Sequence, residues 1–343
     1  METAAARAGA ATSERQDVVL LERLTEVRST LESEIGRRVI GQKSVVEGLL
    51  TALLADGHAL LVGVPGLAKT LLISTLAEAL DLRFSRIQFT PDLMPSDITG
   101  TEVLEEDRST GRRLFRFVRG PIFANVVLAD EINRTPPKTQ AALLQAMQER
   151  AVTAAGETMA LDRPFFVLAT QNPIEQEGTY PLPEAQLDRF MLELRIGYPT
   201  REEEERVATE TTGADEPTVG HVVGGVELAE MQRLVRRVPA PPSLVSYAVA
   251  LARATRPHEG EAPDLVRRYI SWGAGPRASQ YLVLGAKARA AMSGRGVPNF
   301  DDVRAVAPSV LRHRVVTSFQ AEADGRTAAD LVEELLQLSR KWT

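Results

Sequence analysis

The stretch that most constrains this chain is residues 63–70, which read Gly-Val-Pro-Gly-Leu-Ala-Lys-Thr. It follows the apolar run 59–62 and precedes a helical pattern, so a glycine-rich turn would join a strand to a helix. Such a turn points backbone N–H groups and a helix N-terminus at one place, which suits a triphosphate. The pattern predicts a phosphate-binding loop, and the alternative is a plain Gly/Pro turn between a core strand and a helix.

Within this loop, individual residues have predicted roles. Lys69 would reach the β- and γ-phosphates, and Thr70 would bind Mg²⁺. The position before the lysine, where glycine is expected, holds Ala68. A methyl group is compatible with the loop if Ala68 has a right-handed helical backbone, because only a positive φ requires glycine. The predicted nucleotide-binding residues of the loop are Gly63, Val64, Pro65, Gly66, Leu67, Ala68, Lys69 and Thr70.

Polar side chains also follow two later strand candidates. Asp130 and Glu131 end the apolar run 126–129, and burying carboxylates without partners is costly. We expect Asp130 to bind Mg²⁺, directly or through water, and Glu131 to polarise the attacking water. The alternative is a strand that leads into a polar loop with solvated acids. Asn172 follows the apolar run 165–169, and its amide can orient water against the γ-phosphate. The alternative is a turn residue, because Asn before Pro is common in turns.

The distribution of apolar runs predicts two domains. Short strand candidates at 60–62, 84–89, 126–129, 165–169 and 191–196 alternate with helical stretches, which indicates a parallel sheet covered on both faces. Two predicted hairpins interrupt it, at 98–117 with a turn at 107–111 and at 151–161. After residue 199 only helical patterns follow, at 228–238, 244–254, 277–292, 301–310 and 328–338. We therefore predict a disordered N-terminus (1–16), an α/β core (17–198) whose first helix is 18–37, and a smaller all-α domain (199–343).

Composition excludes several classes of site. No cysteine occurs, which rules out disulfides, thiolate metal sites and a cysteine nucleophile. The net charge of −6 argues weakly against a protein that wraps nucleic acid. The N-terminal residues lack the apolar core of a signal peptide, and no apolar run approaches the roughly 18 residues of a membrane span. A cytoplasmic protein is the simplest prediction.

Four motifs together resemble one branch of the AAA+ ATPases, the MoxR family. They are G-V-P-G-L-A-K-T at 63–70, A-D-E-I-N-R-T-P-P-K-T-Q at 129–140, A-T-Q-N-P at 169–173 and P-L-P-E-A-Q-L-D-R-F at 181–190. The resemblance extends from about residue 39 to the C-terminus, and alanine at position 68 is normal in that family. It implies an α/β core with a P-loop and β-hairpin inserts, followed by an α-helical lid, with ATP and Mg²⁺ as ligands. It also implies a homo-oligomeric ring, commonly a hexamer.

The resemblance assigns further site residues. Asn172 matches the sensor 1 position, and Arg277 matches sensor 2 of the lid, from which it would reach the phosphates when the lid closes. Arg189 matches the position that supplies an arginine finger to the neighbouring subunit. From the residues alone, either arginine could equally form a surface ion pair of little energetic weight. Ile40 and Gly41 match the adenine-side segment, which by pattern alone is equally a helix boundary.

The function implied by the resemblance is Mg²⁺-dependent ATP hydrolysis that drives chaperone-like remodelling or maturation of a partner protein complex. Metal-cofactor insertion is a common purpose, and a protein with a von Willebrand factor A domain is a common partner. A nucleic-acid translocase, a magnesium-chelatase-type motor subunit and a slow nucleotide-gated scaffold remain alternatives. The acid pair ending at Glu131 argues against a scaffold, which could dispense with this residue.

The two hairpins match inserts that face the pore or a partner in related rings. In the first hairpin, the candidate client contacts are Arg113, Phe115, Arg116 and Phe117. The alternative is a hairpin that packs one face on the core. Arginines beside aromatic residues also suit single-stranded nucleic acid, but four acidic residues at 102 and 105–107 oppose that reading.

Overall fold

The computed structural model describes residues 2–106, 113–174, 178–212, 217–260 and 262–342, with side chains from Arg15 onward. In chain order the elements are α1 (Glu2–Gly36), α2 (Lys43–Leu54), β1 (Ala59–Val62), α3 (Lys69–Ala79), β2 (Phe84–Gln88), α4 (Pro95–Thr99), β3 (Gly100–Glu106), β4 (Arg113–Arg119), β5 (Val126–Asp130), α5 (Pro137–Glu149), β6 (Ala151–Ala154), β7 (Glu157–Ala160), β8 (Phe166–Gln171), α6 (Glu184–Leu187), β9 (Leu192–Arg195), α7 (Arg201–Thr211), α8 (Gly225–Arg237), α9 (Pro242–Arg253), α10 (Asp264–Tyr269), β10 (Ile270–Trp272), α11 (Pro276–Met292), α12 (Phe300–Leu311), β11 (Val316–Thr317), α13 (Phe319–Ala323) and α14 (Ala328–Ser339). Short 3₁₀ turns occur at Ile132–Arg134, Arg312–Arg314 and Arg340–Trp342.

A five-stranded parallel sheet forms the centre of the core domain. Its strand order is β2-β5-β8-β1-β9, and every neighbouring pair is parallel. All five strands were predicted from their apolar runs, and the predicted parallel sheet is confirmed. Because the strands are parallel, their carboxyl ends lie together at one edge and their amino ends at the opposite edge. The phosphate-binding loop follows β1 and therefore lies at the carboxyl edge.

Alternation along the strands divides the apolar side chains between two cores. Leu60 and Val127 belong to the smaller core, whereas their neighbours Leu61 and Leu128 belong to the larger one. Successive side chains of a strand point to opposite faces of the sheet, so neighbours enter different cores. The larger core continues from the sheet through α1, α2 and α3 into the helices that follow residue 224. The lid therefore packs directly on the sheet domain through a continuous apolar interior.

After residue 199 the structure contains the five helices that the sequence predicts, together with α7, α10, α13 and two short strands. β10 and β11 pair in a two-stranded antiparallel sheet within the otherwise helical lid. The strands are so short that no alternating pattern marked them. The domain limits at 17–198 and 199–343 remain predictions. No helix in the described part of the chain has both the length and the apolarity needed to cross a membrane.

The N-terminus differs from the predicted structure, whereas both hairpins agree with it. Residues 1–16 were predicted to be disordered, but α1 begins at Glu2. The alanine-rich stretch has high helix propensity and extends the predicted helix 18–37 towards the N-terminus. Both hairpins are confirmed, as β3–β4 and β6–β7. The predicted turn 107–111 lies outside the described residues.

Candidate active site

The phosphate-binding loop is tightly packed at its first glycine and open at its second. A Cβ atom on Gly63 would lie 2.1 Å from Cγ2 of Ile196, so only glycine fits beside the end of β9. Gly66 has a φ of +82°, which also favours glycine. The ammonium group of Lys69 donates a hydrogen bond of 2.8 Å to the Gly63 carbonyl oxygen. The lysine is thus folded back over the loop at the place where phosphates would bind.

The backbone at Ala68 differs from the prediction. Its φ of 55° and ψ of 27° lie in the left-handed helical region, not the right-handed one that we expected for a residue with a methyl group. A non-glycine residue in this region costs about 1 kcal/mol relative to a relaxed backbone. Ala68 is the N-cap of α3, and the turn that orients the first N–H groups of this helix requires the strained conformation. The family resemblance correctly allowed alanine here, but our physical reason was wrong.

Asp130 lies at the end of β5 and is almost fully engaged by its own chain. Its Oδ1 accepts a hydrogen bond of 2.7 Å from the hydroxyl of Thr170, and its Oδ2 accepts one of 2.6 Å from Arg86. The Asp130 side chain is only 12% exposed, so these partners offset the cost of burying its charge. Arg86 is about half exposed and can move away, which leaves Oδ2 accessible to a new ligand.

Glu131 is held in a defined direction at the same edge. It has a φ of 57°, a strained left-handed conformation, and its N–H donates to the Thr170 hydroxyl at 2.8 Å. The carboxylate accepts a hydrogen bond of 2.9 Å from Gln88 at the end of β2 and lies 3.2 Å from the guanidinium of Arg134. The strand end and its neighbours therefore aim this acid rather than leave it mobile.

Asn172 has an unsatisfied donor. Its Oδ1 accepts a hydrogen bond of 3.1 Å from the Ile174 N–H, whereas its buried Nδ2 has no partner. A buried N–H₂ group without an acceptor is costly, and a phosphate or a held water would satisfy it. β8 lies between β1 and β5, so Asn172 follows the strand that separates the loop from the acids. Adjacent strands are about 4.8 Å apart, which brings all three groups within reach of one triphosphate.

These residues fit Mg²⁺ and ATP. Among the described residues no cluster of three or more His, Cys, Asp and Glu side chains could hold a metal. Mg²⁺ needs no such cluster, because it usually keeps several waters and takes one or two protein oxygens plus phosphate oxygens. Thr70 and Asp130 supply the right kind of oxygen, and Lys69 and the unpaired Asn172 donor suit phosphate.

The predicted adenine-side residues lie near the start of the lid. Ile40 and Gly41 line a cavity of about 500 Å³ together with Arg206 of α7. Gly41 has a φ of +75°, and a Cβ atom there would lie 2.9 Å from the carboxyl carbon of Glu203. Gln42 donates a hydrogen bond of 2.9 Å to the Gly197 carbonyl. The segment thus contacts the chain that enters the lid, and its adenine role remains a prediction.

Both predicted arginines lie at the opposite edge of the sheet. Arg189 and Arg277 line one cavity of about 710 Å³, which we call the arginine cavity, together with His58, Arg150 and Arg236. His58 immediately precedes β1, and its carbonyl accepts a hydrogen bond of 2.8 Å from the N–H of residue 191 just before β9. The cavity is therefore at the amino edge. We expected Arg277 to approach the phosphates by lid closure, but it lies beside Arg189 and away from its own loop.

The two arginines differ in their partners. Arg277 lies 3.1 Å from the Asp188 carboxylate, while no described carboxylate forms an ion pair with Arg189. Burial lowers the pKa of the cavity residue His58 to about 4, so its ring is neutral. Its Nδ1 accepts a hydrogen bond of 3.1 Å from the Val167 N–H, which leaves Nε2–H to donate to the Met147 carbonyl at 3.3 Å.

Several functional partners were missed in the sequence. Arg86 and Gln88 lie on β2, whose sequence Phe-Ser-Arg-Ile-Gln has more polar residues than β1, β5 or β8. These polar residues within a predicted strand were a usable signal of side chains with a role at the end of the sheet. Thr170 carried no comparable signal, since the acid that it contacts is 40 residues away in the chain.

Comparisons with known proteins identify the family of both domains. Residues 58–192 match the ATPase family associated with various cellular activities (AAA), and residues 263–335 match the AAA lid domain. The chain is 43% identical to Chaperone MoxR1 of Mycobacterium tuberculosis over 304 residues. This aligned region covers 89% of this chain and 79% of that protein. It is 31% identical over 306 residues to Protein MoxR of Methylorubrum extorquens, across 84% and 88% of the two chains.

A solved structure extends the similarity to the whole fold. A crystal structure from Cytophaga hutchinsonii, described as that of an ATPase, superposes with a TM-score of 0.86 at 40% identity and covers 96% of this chain and 98% of that one. Sequence, domain order and three-dimensional arrangement thus agree over nearly the full length. The chain belongs to the MoxR family of AAA ATPases and is an ATPase.

Proposed function

We propose that this ATPase hydrolyses Mg²⁺-ATP at a site shared by two subunits of a ring, commonly a hexamer. One subunit would contribute the carboxyl edge of its sheet, and its neighbour would contribute the arginine cavity. The observation that carries the proposal is that the acids and the arginines lie at opposite edges of one sheet. β1 alone separates them by about 13 Å, from four residues at about 3.3 Å each.

Within such a site each side chain has a chemical task. Lys69 and the loop N–H groups would bind the phosphates, and Glu131 would polarise the attacking water. The unpaired Nδ2 of Asn172 would hold that water or the γ-phosphate. Thr70 and Asp130 would hold Mg²⁺, which supplies charge neutralisation on the phosphate oxygens. Arg189 and Arg277 of the neighbour would stabilise charge in the transition state.

Mixed rings test this arrangement. Arg189→Ala removes the donated arginine, and Glu131→Gln removes the acid, so each variant alone should be inactive while still binding ATP. In a mixture, the intact acid edge of an Arg189→Ala subunit meets the intact arginine of a Glu131→Gln neighbour. We expect ATPase activity above the sum of the separate variants. Activity must not recover when Arg189→Ala is mixed with the double variant, and failure of the first mixture to recover would refute the shared site.

We further propose that hydrolysis drives chaperone-like remodelling or maturation of a partner protein in the cytoplasm. Support comes from the chaperone name of one relative. Metal-cofactor insertion and a partner with a von Willebrand factor A domain belong to the same proposal. Glu131→Gln, loaded with Mg²⁺-ATP and isolated from native extract with and without nuclease, should retain a nuclease-resistant protein. Recovery of nucleic acid instead, lost on nuclease treatment, would favour a translocase.

The first hairpin has exposed apolar side chains. Phe115 is 73% exposed and Leu114 is 62% exposed, whereas Phe117 packs edge-on against Phe123 with ring centroids 6.3 Å apart. We therefore retain Phe115 as a client contact and regard Phe117 as a packing residue. Phe115→Ser should reduce recovery of the partner, while Phe319→Ser, which changes another exposed phenylalanine in the lid, should not.

The hairpin arginines do not favour nucleic acid. Arg113 lies 3.4 Å from Glu106, and Arg116 lies 3.2 Å from Glu105. Each guanidinium is therefore already neutralised by a carboxylate of the same hairpin. A strand of phosphates would have to displace these acids, and this cost supports a protein client over DNA or RNA.

A further inference from the structure

A buried arginine of the lid holds the backbone around Arg189. Arg314 lies in the 3₁₀ turn that follows α12, and its side chain is only 2% exposed. Removing a guanidinium from water is costly unless its donors are satisfied. The hydrogen bonds of Arg314 must therefore offset this cost, and they hold in place the residues that accept them.

Each of the three nitrogens of this guanidinium has an oxygen acceptor. Nε donates to the Asp188 carboxylate at 2.7 Å, and Nη2 donates to the carbonyl oxygens of Asp188 at 2.9 Å and Phe190 at 2.6 Å. Nη1 contacts the Met191 carbonyl at 3.3 Å, the Val310 carbonyl, and Nε2 of His313 at 2.6 Å. Four of the five contacts with oxygen end on residues 188–191, which we call the finger segment, on both sides of Arg189. The planar guanidinium of arginine can bond all of these acceptors at once. Lysine cannot, because its three donors are on a single nitrogen.

Two further lid residues contact the same segment. Arg277 shares the Asp188 carboxylate with Arg314, at 3.1 Å from its second oxygen. The Tyr281 hydroxyl lies 3.4 Å from the Arg189 carbonyl oxygen, and the Arg314 guanidinium lies 5.1 Å from the centre of the Tyr281 ring. The lid thus holds the backbone of the finger segment, while the guanidinium of Arg189 has no described ion-pair partner.

We propose that Arg314 is a positioning residue for hydrolysis in the neighbouring subunit. It fixes the finger segment to the lid, so the lid sets where Arg189 enters the neighbour's site. The proposal rests on the shared site described above. A displacement of about 1 Å in a reacting group costs about 10²-fold in rate, so loosening the segment should impair the donated arginine strongly. The subunit's own loop, acids and Asn172 lie at the other edge and should be unaffected.

The test is Arg314→Met in the mixed-ring assay. Alone, this variant should bind ATP like the parent protein and lose about 10²-fold in kcat. Mixed with Glu131→Gln, it should recover activity as Arg189→Ala does, because the neighbour supplies an intact finger segment. A general loss of folding would damage its own acid edge too and would not be complemented. Arg312→Met is the matched control and should retain turnover, since among the described residues Arg312 bonds the Pro308 carbonyl of α12 and not the finger segment.

The outcomes separate the two proposals. If Arg189→Ala recovers with Glu131→Gln but Arg314→Met does not, the shared site stands and the role of Arg314 is refuted. If neither variant recovers, the shared site fails and the positioning role fails with it. Should Arg314→Met not fold, Arg314→Lys decides, because it keeps the positive charge but lacks the planar guanidinium that meets several acceptors. Loss of turnover in Arg314→Lys that recovers in the mixture supports the proposal, and a loss that does not recover refutes it.

Discussion

At the carboxyl edge of the sheet, charged groups are paired within the chain, whereas at the amino edge the guanidinium of Arg189 has no described partner. Lys69 bonds the Gly63 carbonyl, and Asp130 bonds Arg86. Among the described residues there, the buried Nδ2 of Asn172 is a donor without a partner, and the buried Oδ1 of Asn133 is an acceptor without one. In the described part of the chain, each edge thus has a donor without an acceptor. In the shared site that we propose, one ligand would satisfy both donors, between the carboxyl edge of one chain and the amino edge of another.

The two edges also differ in how their residues are held. The acids follow directly from a buried strand and are aimed by the two strands beside it. The arginine at the amino edge is held by long-range contacts from the lid, chiefly Arg314. A movement of the lid would therefore change the arginine edge first and leave the acid edge in place. This asymmetry suits a ring in which hydrolysis at one subunit responds to the conformation of the next.

The largest effects should separate binding from hydrolysis across the two edges. Lys69→Ala should abolish both nucleotide binding and turnover, because it removes the phosphate-binding ammonium. Arg189→Ala should lower kcat by about 10³-fold or more with nucleotide affinity nearly unchanged. Titration with a fluorescent ATP analogue, alongside steady-state kinetics, measures both. Arg201→Ala, at an exposed arginine of α7, is the control; weak nucleotide binding by Arg189→Ala would contradict the division between edges.

Acid should destabilise the amino edge through His58. The folded protein keeps this ring neutral with a pKa of about 4, below the ordinary value of 6.5, so between these values only the unfolded chain takes up the proton. Stability from His58 is complete above pH 6.5 and should fall by about 3 kcal/mol as the pH approaches 4. Urea unfolding at several pH values measures it. His58→Gln, whose amide can replace both hydrogen bonds, should show a shallower decline, and an unchanged slope would contradict this assignment.

Arg277 tests which nucleotide the amino edge serves, because it could act on the ATP of its own subunit or on the ATP of the neighbouring subunit. Arg277→Ala should lower kcat by about 10²-fold, the cost of one donor to transition-state charge. In mixed rings with Glu131→Gln, activity should recover, since the neighbour's Arg277 is intact. If Arg277 instead served its own loop, the mixture would stay inactive, because the only intact acid edge would still lack it.

The sequence predicted what depends on local pattern. Asp130 and Asn172 were chosen because they follow apolar runs, and the structure has them at the ends of adjacent strands. Their partners could not be predicted in this way, because Arg86 is 44 residues from Asp130 and Arg314 is 126 residues from Asp188. The position of the lid, and hence of Arg277, depends on packing over the whole larger core. Such contacts between distant segments leave no periodic mark in the sequence.

The smallest expected effect concerns the backbone of the phosphate-binding loop at Ala68. This residue has a left-handed conformation although its side chain is a methyl group. Ala68→Gly should raise the free energy of unfolding by up to about 1 kcal/mol, because glycine adopts this conformation without strain, although its greater freedom in the unfolded chain offsets part of the gain. Denaturant unfolding without nucleotide measures the change, and Ala79→Gly, at the last residue of the right-handed helix α3, should instead destabilise. Nucleotide affinity of Ala68→Gly should stay close to that of the parent, since the N–H groups of the loop keep their directions. A clear loss of stability in Ala68→Gly would mean that residue 68 has the right-handed backbone after all, and that the loop opens α3 in a different way.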